Sequence, residues 1–96
     1  MPEIDTIKAI IHPIAIEYGV KKIYLFGSFA KGTANENSDI DLLIEKGKPM
    51  SLLKISGFRQ DVEEKMKRSV DVVTTAGIEA EFKMAIQGTE ILLYEE

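Results

Sequence analysis

The chain reads as an α/β (α+β) domain: a small mixed four-stranded sheet packed with about three helices. Two observations predict this architecture. Short runs rich in β-branched and aromatic residues recur at Lys22 to Phe26, about Asp39 to Glu45, Ser69 to Thr74 and Glu90 to Tyr94, each of strand length. The longer segments among them carry apolar residues at three- and four-residue steps, the period of a helix with one buried side. Helices and strands therefore alternate, and the first two strands lie close in sequence, which describes one mixed sheet rather than two separate units.

The first helix rests on Ile4, Ile7, Ile11, Ile14 and Tyr18, which form a single apolar stripe ending at Gly19. Pro13 interrupts it. Proline lacks the amide hydrogen and crowds the carbonyl of Ala9, so either a kink or two short helical pieces is expected. Lys22 to Phe26, closed by Gly27-Ser28, is near-continuously apolar and suits a strand buried on both faces. Phe29 to Ser38 contains Gly32, Thr33, Asn35 and Asn37, a composition that predicts a short helical turn followed by a loop.

The second strand follows, from about Asp39 to Glu45. Lys46 to Pro49 is a polar break, after which Ser51 can cap a helix carrying Leu52, Ile55, Phe58 or Arg59, Val62 and Met66 inward. Ser69 to Thr74 is the third strand. Ile78, Phe82, Ala85 and Ile86 outline a further helix with Glu79 and Glu81 in its first turn, where negative charge suits the helix dipole. Gly88 stops that helix, and Glu90 to Tyr94 completes the sheet.

Composition limits the function classes. At 96 residues with 45% hydrophobic content, one domain with one modest core is expected, spanning residues 1–96. The 12 basic and 16 acidic residues give a formal charge of -4, which offers no general footprint for nucleic-acid phosphates. With no cysteine, a disulfide framework and a thiolate metal site are both excluded. The N-terminus lacks the pattern of a signal peptide and no apolar run has the length of a membrane span, so a cytoplasmic protein is expected.

The chemistry concentrates in fifteen residues. Asp39 and Asp41 alternate along a strand and so share a face, with Ile40, Leu42 and Ile44 directed to the opposite layer. Neighbouring carboxylates resist joint ionisation, and such a pair usually holds a cation or shares a proton. An oxygen-only donor set suits Mg²⁺. Asp71, flanked by Val70, Val72 and Val73, is a lone charge in an apolar strand and needs a metal, a cation or solvent. Should the third strand lie beside the second, Asp71 completes a triad able to hold two metal ions. Gly27-Ser28 ends a strand where free backbone N–H groups would face an anion, and the Ser28 hydroxyl can donate a further hydrogen bond.

The stretch Leu25-Phe26-Gly27-Ser28-Phe29-Ala30-Lys31-Gly32, continued by Ser38-Asp39-Ile40-Asp41-Leu42-Leu43-Ile44, resembles the minimal nucleotidyltransferases of the polymerase-β-like superfamily. Val70-Asp71-Val72-Val73 looks like that family's third-carboxylate strand. The resemblance implies Mg²⁺-dependent transfer of a nucleoside monophosphate from ATP or another NTP. Gly27, Ser28 and Lys31 would bind the triphosphate, and Asp39, Asp41 and Asp71 would carry two Mg²⁺ ions and the catalysis. Lys31 stands where an arginine is common, which keeps the charge but loses bidentate phosphate binding. Many such proteins are similar to the antitoxin of a two-gene module whose partner is a helical HEPN protein. The implied reaction there is AMP transfer to a tyrosine hydroxyl of that partner. An alternative is a non-catalytic NTP-binding module that neutralises its partner by occlusion. A third is transfer to a small molecule with a second domain supplied in trans. A homo-oligomer is compatible with all three.

Other polar residues have plainer readings. His12 is expected on the helix surface, and it provides no base for Ser28 as a nucleophile. Lys65, Lys67 and Arg68 end the second long helix, where positive charge complements its dipole.

Overall fold

The computed structural model describes residues 2–47, 49–75 and 89–96. Helix α1 runs Ile4–Tyr18, strand β1 Lys22–Phe26, helix α2 Gly27–Lys31 and strand β2 Ile40–Glu45. Helix α3 runs Leu52–Met66, strand β3 Val70–Thr75 and strand β4 Ile91–Glu95. The expected helix from Ile78 to Ile86 and its Gly88 stop lie outside the described residues.

The strands form one sheet in the order β3-β2-β1-β4. β1 pairs antiparallel with both β2 and β4, whereas β2 and β3 run parallel. The sheet is therefore mixed, as the strand spacing predicts. Parallel pairing needs a crossover, and α3 supplies it.

One face of the sheet meets α1 and α3. Ile7, Ile11, Ile14 and Ala15 of α1 pack with Phe58 and Val62 of α3 and with Ile23, Leu25, Ile40, Leu42, Ile44, Val70 and Leu93 of the strands. These residues alternate along each strand, so removing their side chains from water fixes which way every strand faces. That selection is what turns Asp41 away from the core.

Several local expectations change. α1 is continuous through Pro13, so the two-piece alternative fails. Pro13 lies on the exposed side of the helix, where water can satisfy the carbonyl left without its N–H partner. The helix ends as expected at Gly19, whose φ of 68° is left-handed. β1 is buried on one face only: Ile23 and Leu25 are in the core, while Lys22, Tyr24 and Phe26 are half-buried.

The Ser51 cap forms, its hydroxyl accepting from the Lys54 N–H at 3.1 Å. Of the inward residues expected on α3, Phe58 and Val62 are buried and Arg59 is exposed. Leu52 is instead 84% exposed, because the first turn of α3 projects past the packed stripe. Among the described residues, no helix is long and apolar enough to cross a membrane.

Candidate active site

The site begins where β1 ends. Phe26 lies opposite Asp41 in the antiparallel ladder, so the next residue, Gly27, turns directly over the Asp41 side chain. Two facts require glycine there. Its φ is 73°, and a β-carbon built on it would overlap the Asp41 carboxylate oxygen Oδ2. The chain then enters α2, whose first N–H groups have no side-chain cap. Ser28 follows Gly27 and is half-buried, while Lys31 stands exposed at the far end of α2.

Parallel register brings the acids together. Asp41 and Asp71 are directly paired across β2 and β3, so both side chains leave the same face of the sheet side by side. Asp41 is half-buried and Asp71 exposed. Burial lifts the Asp41 carboxyl above its ordinary pKa, and the charges of Asp71 and Asp39 and a hydrogen bond to Asp71 lift it further. Asp39 precedes the first residue of β2, slightly later than the expected strand start, and is exposed.

A cleft of about 550 Å³ opens at this pair. Phe26, Ile55, Val72 and Val73 give it apolar walls, and Ser56 and Arg59 of α3 join Asp41 and Asp71 as its polar lining. Sequence reasoning missed Ser56 and Arg59. Their signal was weak, since Arg59 competed with Phe58 for the inward position and nothing marked Ser56. Lys31 is not among the residues lining the cleft.

The donor set fits a hard cation in part. Asp41 and Asp71 place carboxylate oxygens together under mutual repulsion, which a divalent ion would relieve. Among the described residues, no group of three carboxylate or imidazole side chains is arranged to hold an ion. Such a pair therefore leaves coordination positions for water and ligand phosphates, the usual pattern for Mg²⁺.

A glycine turn against paired acids on a mixed sheet is the arrangement of a nucleotidyl-transfer domain, and comparison with known proteins gives the same class. The nucleotidyltransferase domain family matches residues 8–92, and the chain belongs to that family. A candidate protein adenylyltransferase of Methanocaldococcus jannaschii is 42% identical over 71 residues, 74% of this chain and 76% of that protein. Among solved structures, a chain of a toxin–antitoxin complex with AMP-PNP matches with a TM-score of 0.78 at 21% identity, covering 93% of this chain and 73% of that one. A chain from the complex of a tri-AMPylated Shewanella oneidensis HEPN toxin with MNT antitoxin matches with a TM-score of 0.73 at 16% identity, covering 97% and 73%. At these identities the solved structures establish a common fold. The resemblance to minimal nucleotidyltransferases carried by the Gly27 to Asp41 motif is thereby borne out.

Proposed function

We propose that this nucleotidyltransferase transfers AMP from ATP to a hydroxyl group, a tyrosine side chain, of a HEPN-type helical partner, and so acts as the antitoxin of a toxin–antitoxin pair in the cytoplasm. The observation that carries the reading is the in-register pair Asp41 and Asp71, with the Gly27 turn against Asp41. The adenylyltransferase relative and the AMPylated HEPN toxin complex support the transferred group and the acceptor class. The AMP-PNP complex supports an NTP substrate.

In this reading residues 1–96 act as one domain. Gly27 leaves room for the triphosphate beside the backbone, Ser28 donates its hydroxyl to a phosphate oxygen, and Lys31 adds positive charge. Asp39, Asp41 and Asp71 would hold two Mg²⁺ ions, which supply neutralisation of the triphosphate and polarisation of the acceptor hydroxyl. The acceptor oxygen forms a bond to the α-phosphorus as the bond to pyrophosphate breaks. Asp71, the more exposed acid of the pair, takes up the hydroxyl proton, and pyrophosphate leaves.

Transfer is tested by co-expression with the helical partner and intact-mass measurement. The partner should gain one or more AMP units, and Asp41→Asn or Asp71→Asn should abolish the gain. A second reading, NTP binding with inhibition by occlusion, draws on the lack of a three-ligand group among the described residues. It predicts an inhibited partner of unchanged mass.

A further inference from the structure

Arg68 is not spent on the dipole of α3 alone. Its Nη1 donates to the backbone carbonyls of Ser38 at 2.8 Å, Glu36 at 2.9 Å and Asn35 at 3.3 Å. Its guanidinium carbon also lies 5.3 Å from the centre of the Phe29 ring on α2. One side chain thus spans α2, the loop after it and the start of β3.

The loop segment it grips is already folded on itself. Asn35 Oδ1 accepts from the Asn37 N–H at 2.8 Å, Ser38 Oγ accepts from the Asn35 N–H at 2.9 Å, and the Ser38 N–H donates to the Asn35 carbonyl at 3.1 Å. These bonds tie residues 35–38 into one turn, and Asp39 is the residue that follows it. Asp39 lies outside β2, so the ladder does not fix its backbone as it fixes Asp41. On the other side, the Ile40 N–H donates to the Ser69 carbonyl at 3.0 Å, next to Arg68. Arg68 and this bond therefore clasp Asp39 from both flanks.

We propose that Arg68 is a positioning residue that, through its grip on the 35–38 turn, holds Asp39 where its carboxylate can join the Asp41 and Asp71 pair when a divalent cation binds. The proposal rests on the metal-dependent reading above and adds the group that aligns its third acid. Asp39 is already close enough for its charge to act on Asp41. Lysine replaces the grip only in part, because its ammonium can bond the carbonyls but it has no planar guanidinium to lie over the Phe29 ring.

The test is calorimetric titration of Mn²⁺ into the chain with ATP present, which needs no acceptor. Arg68→Met should weaken Mn²⁺ binding by about 10–100-fold, the usual loss when a group orienting a metal ligand is removed. Arg68→Lys should recover part of it. In an Asp39→Asn background Arg68→Met should cause little further loss, because the two residues act through one path. A folded Arg68→Met chain that binds Mn²⁺ within about twofold of wild type would overturn the proposal, and so would an undiminished further loss in the Asp39→Asn background. If Arg68→Met does not fold, Arg68→Lys decides the matter, with weaker Mn²⁺ binding expected and unchanged binding overturning the proposal. Absence of Mn²⁺ binding by the wild type would instead remove the metal-dependent reading itself, and this proposal with it.

Discussion

Gly27 and Gly19 have nearly the same positive φ, 73° and 68°, yet they sit in different surroundings. A β-carbon at Gly19 meets nothing within 4 Å, whereas one at Gly27 runs into the Asp41 carboxylate. The pair therefore separates conformational strain from damage to the site. Gly19→Ala should lose about 1–2 kcal/mol, the cost of left-handed backbone for a residue with a side chain, and keep its transfer activity. Gly27→Ala should lose at least as much stability and also displace Asp41, reducing transfer by tenfold or more, roughly the scale of a 1 Å misplacement. Urea unfolding combined with an AMP-transfer assay reads both effects. Equal activity in the two variants would show that the close approach of Gly27 to Asp41 has no bearing on the chemistry.

Among the elements, α1 and α3 meet over the sheet, and a polar bond ties them together. The Tyr18 hydroxyl donates to Asp61 Oδ2 at 2.7 Å, and its ring packs edge-on against Phe58. Gly57 gives the hydroxyl its space, since a β-carbon there would lie 3.0 Å from it. The bond to Asp61, followed by burial and nearby negative charge, pushes the Tyr18 pKa from 10.0 to about 12. A raised folded-state value means that the contribution is fully present below pH 10 and is lost as pH rises through about 12. Tyr18→Phe should cost about 1 kcal/mol at neutral pH, as for one part-buried hydrogen bond. It should also flatten the fall in stability between pH 10 and 12, which thermal melts across that range would show.

The same elements show what periodicity can and cannot reveal. The helix stripe ending at Gly19, the Ser51 cap and the β1 limits are local patterns, and each is found where the sequence places it. The Arg68 clasp joins residues 30 to 33 positions apart and leaves no periodic trace. The exposure of Leu52 depends on where the first turn of α3 lies relative to the sheet, which a stripe of apolar residues does not encode.

In the whole molecule, the sheet order decides the site. Asp71 is 30 residues from Asp41 in sequence, and the parallel pairing of β2 with β3 brings the two into register. The sequence predicted this meeting on the condition that those strands were neighbours. Its placing of Asp39 beside Asp41 rested on alternation within a strand, and β2 starts one residue after Asp39.

Gathering the acids has a thermodynamic consequence for the free protein. The Asp41 pKa is raised, so its favourable contribution is present below the unfolded value of about 3.9 and is lost as pH rises through the folded value. Above that range the ionised Asp41 carboxylate costs the fold stability, through its burial and the negative charge beside it. Without divalent cation, Asp41→Asn should raise Tm, by about 4–8 °C for each kcal/mol of repulsion and desolvation removed. With Mg²⁺ and ATP at a hundredfold excess over Kd, the wild type should gain about 2.7 kcal/mol, and Asp41→Asn should gain far less. The order of stabilities would then reverse on adding ligand. Melting both chains with and without Mg²⁺ and ATP tests this, and a wild type that gains no more than the variant would exclude Asp41 as a ligand of the bound ion.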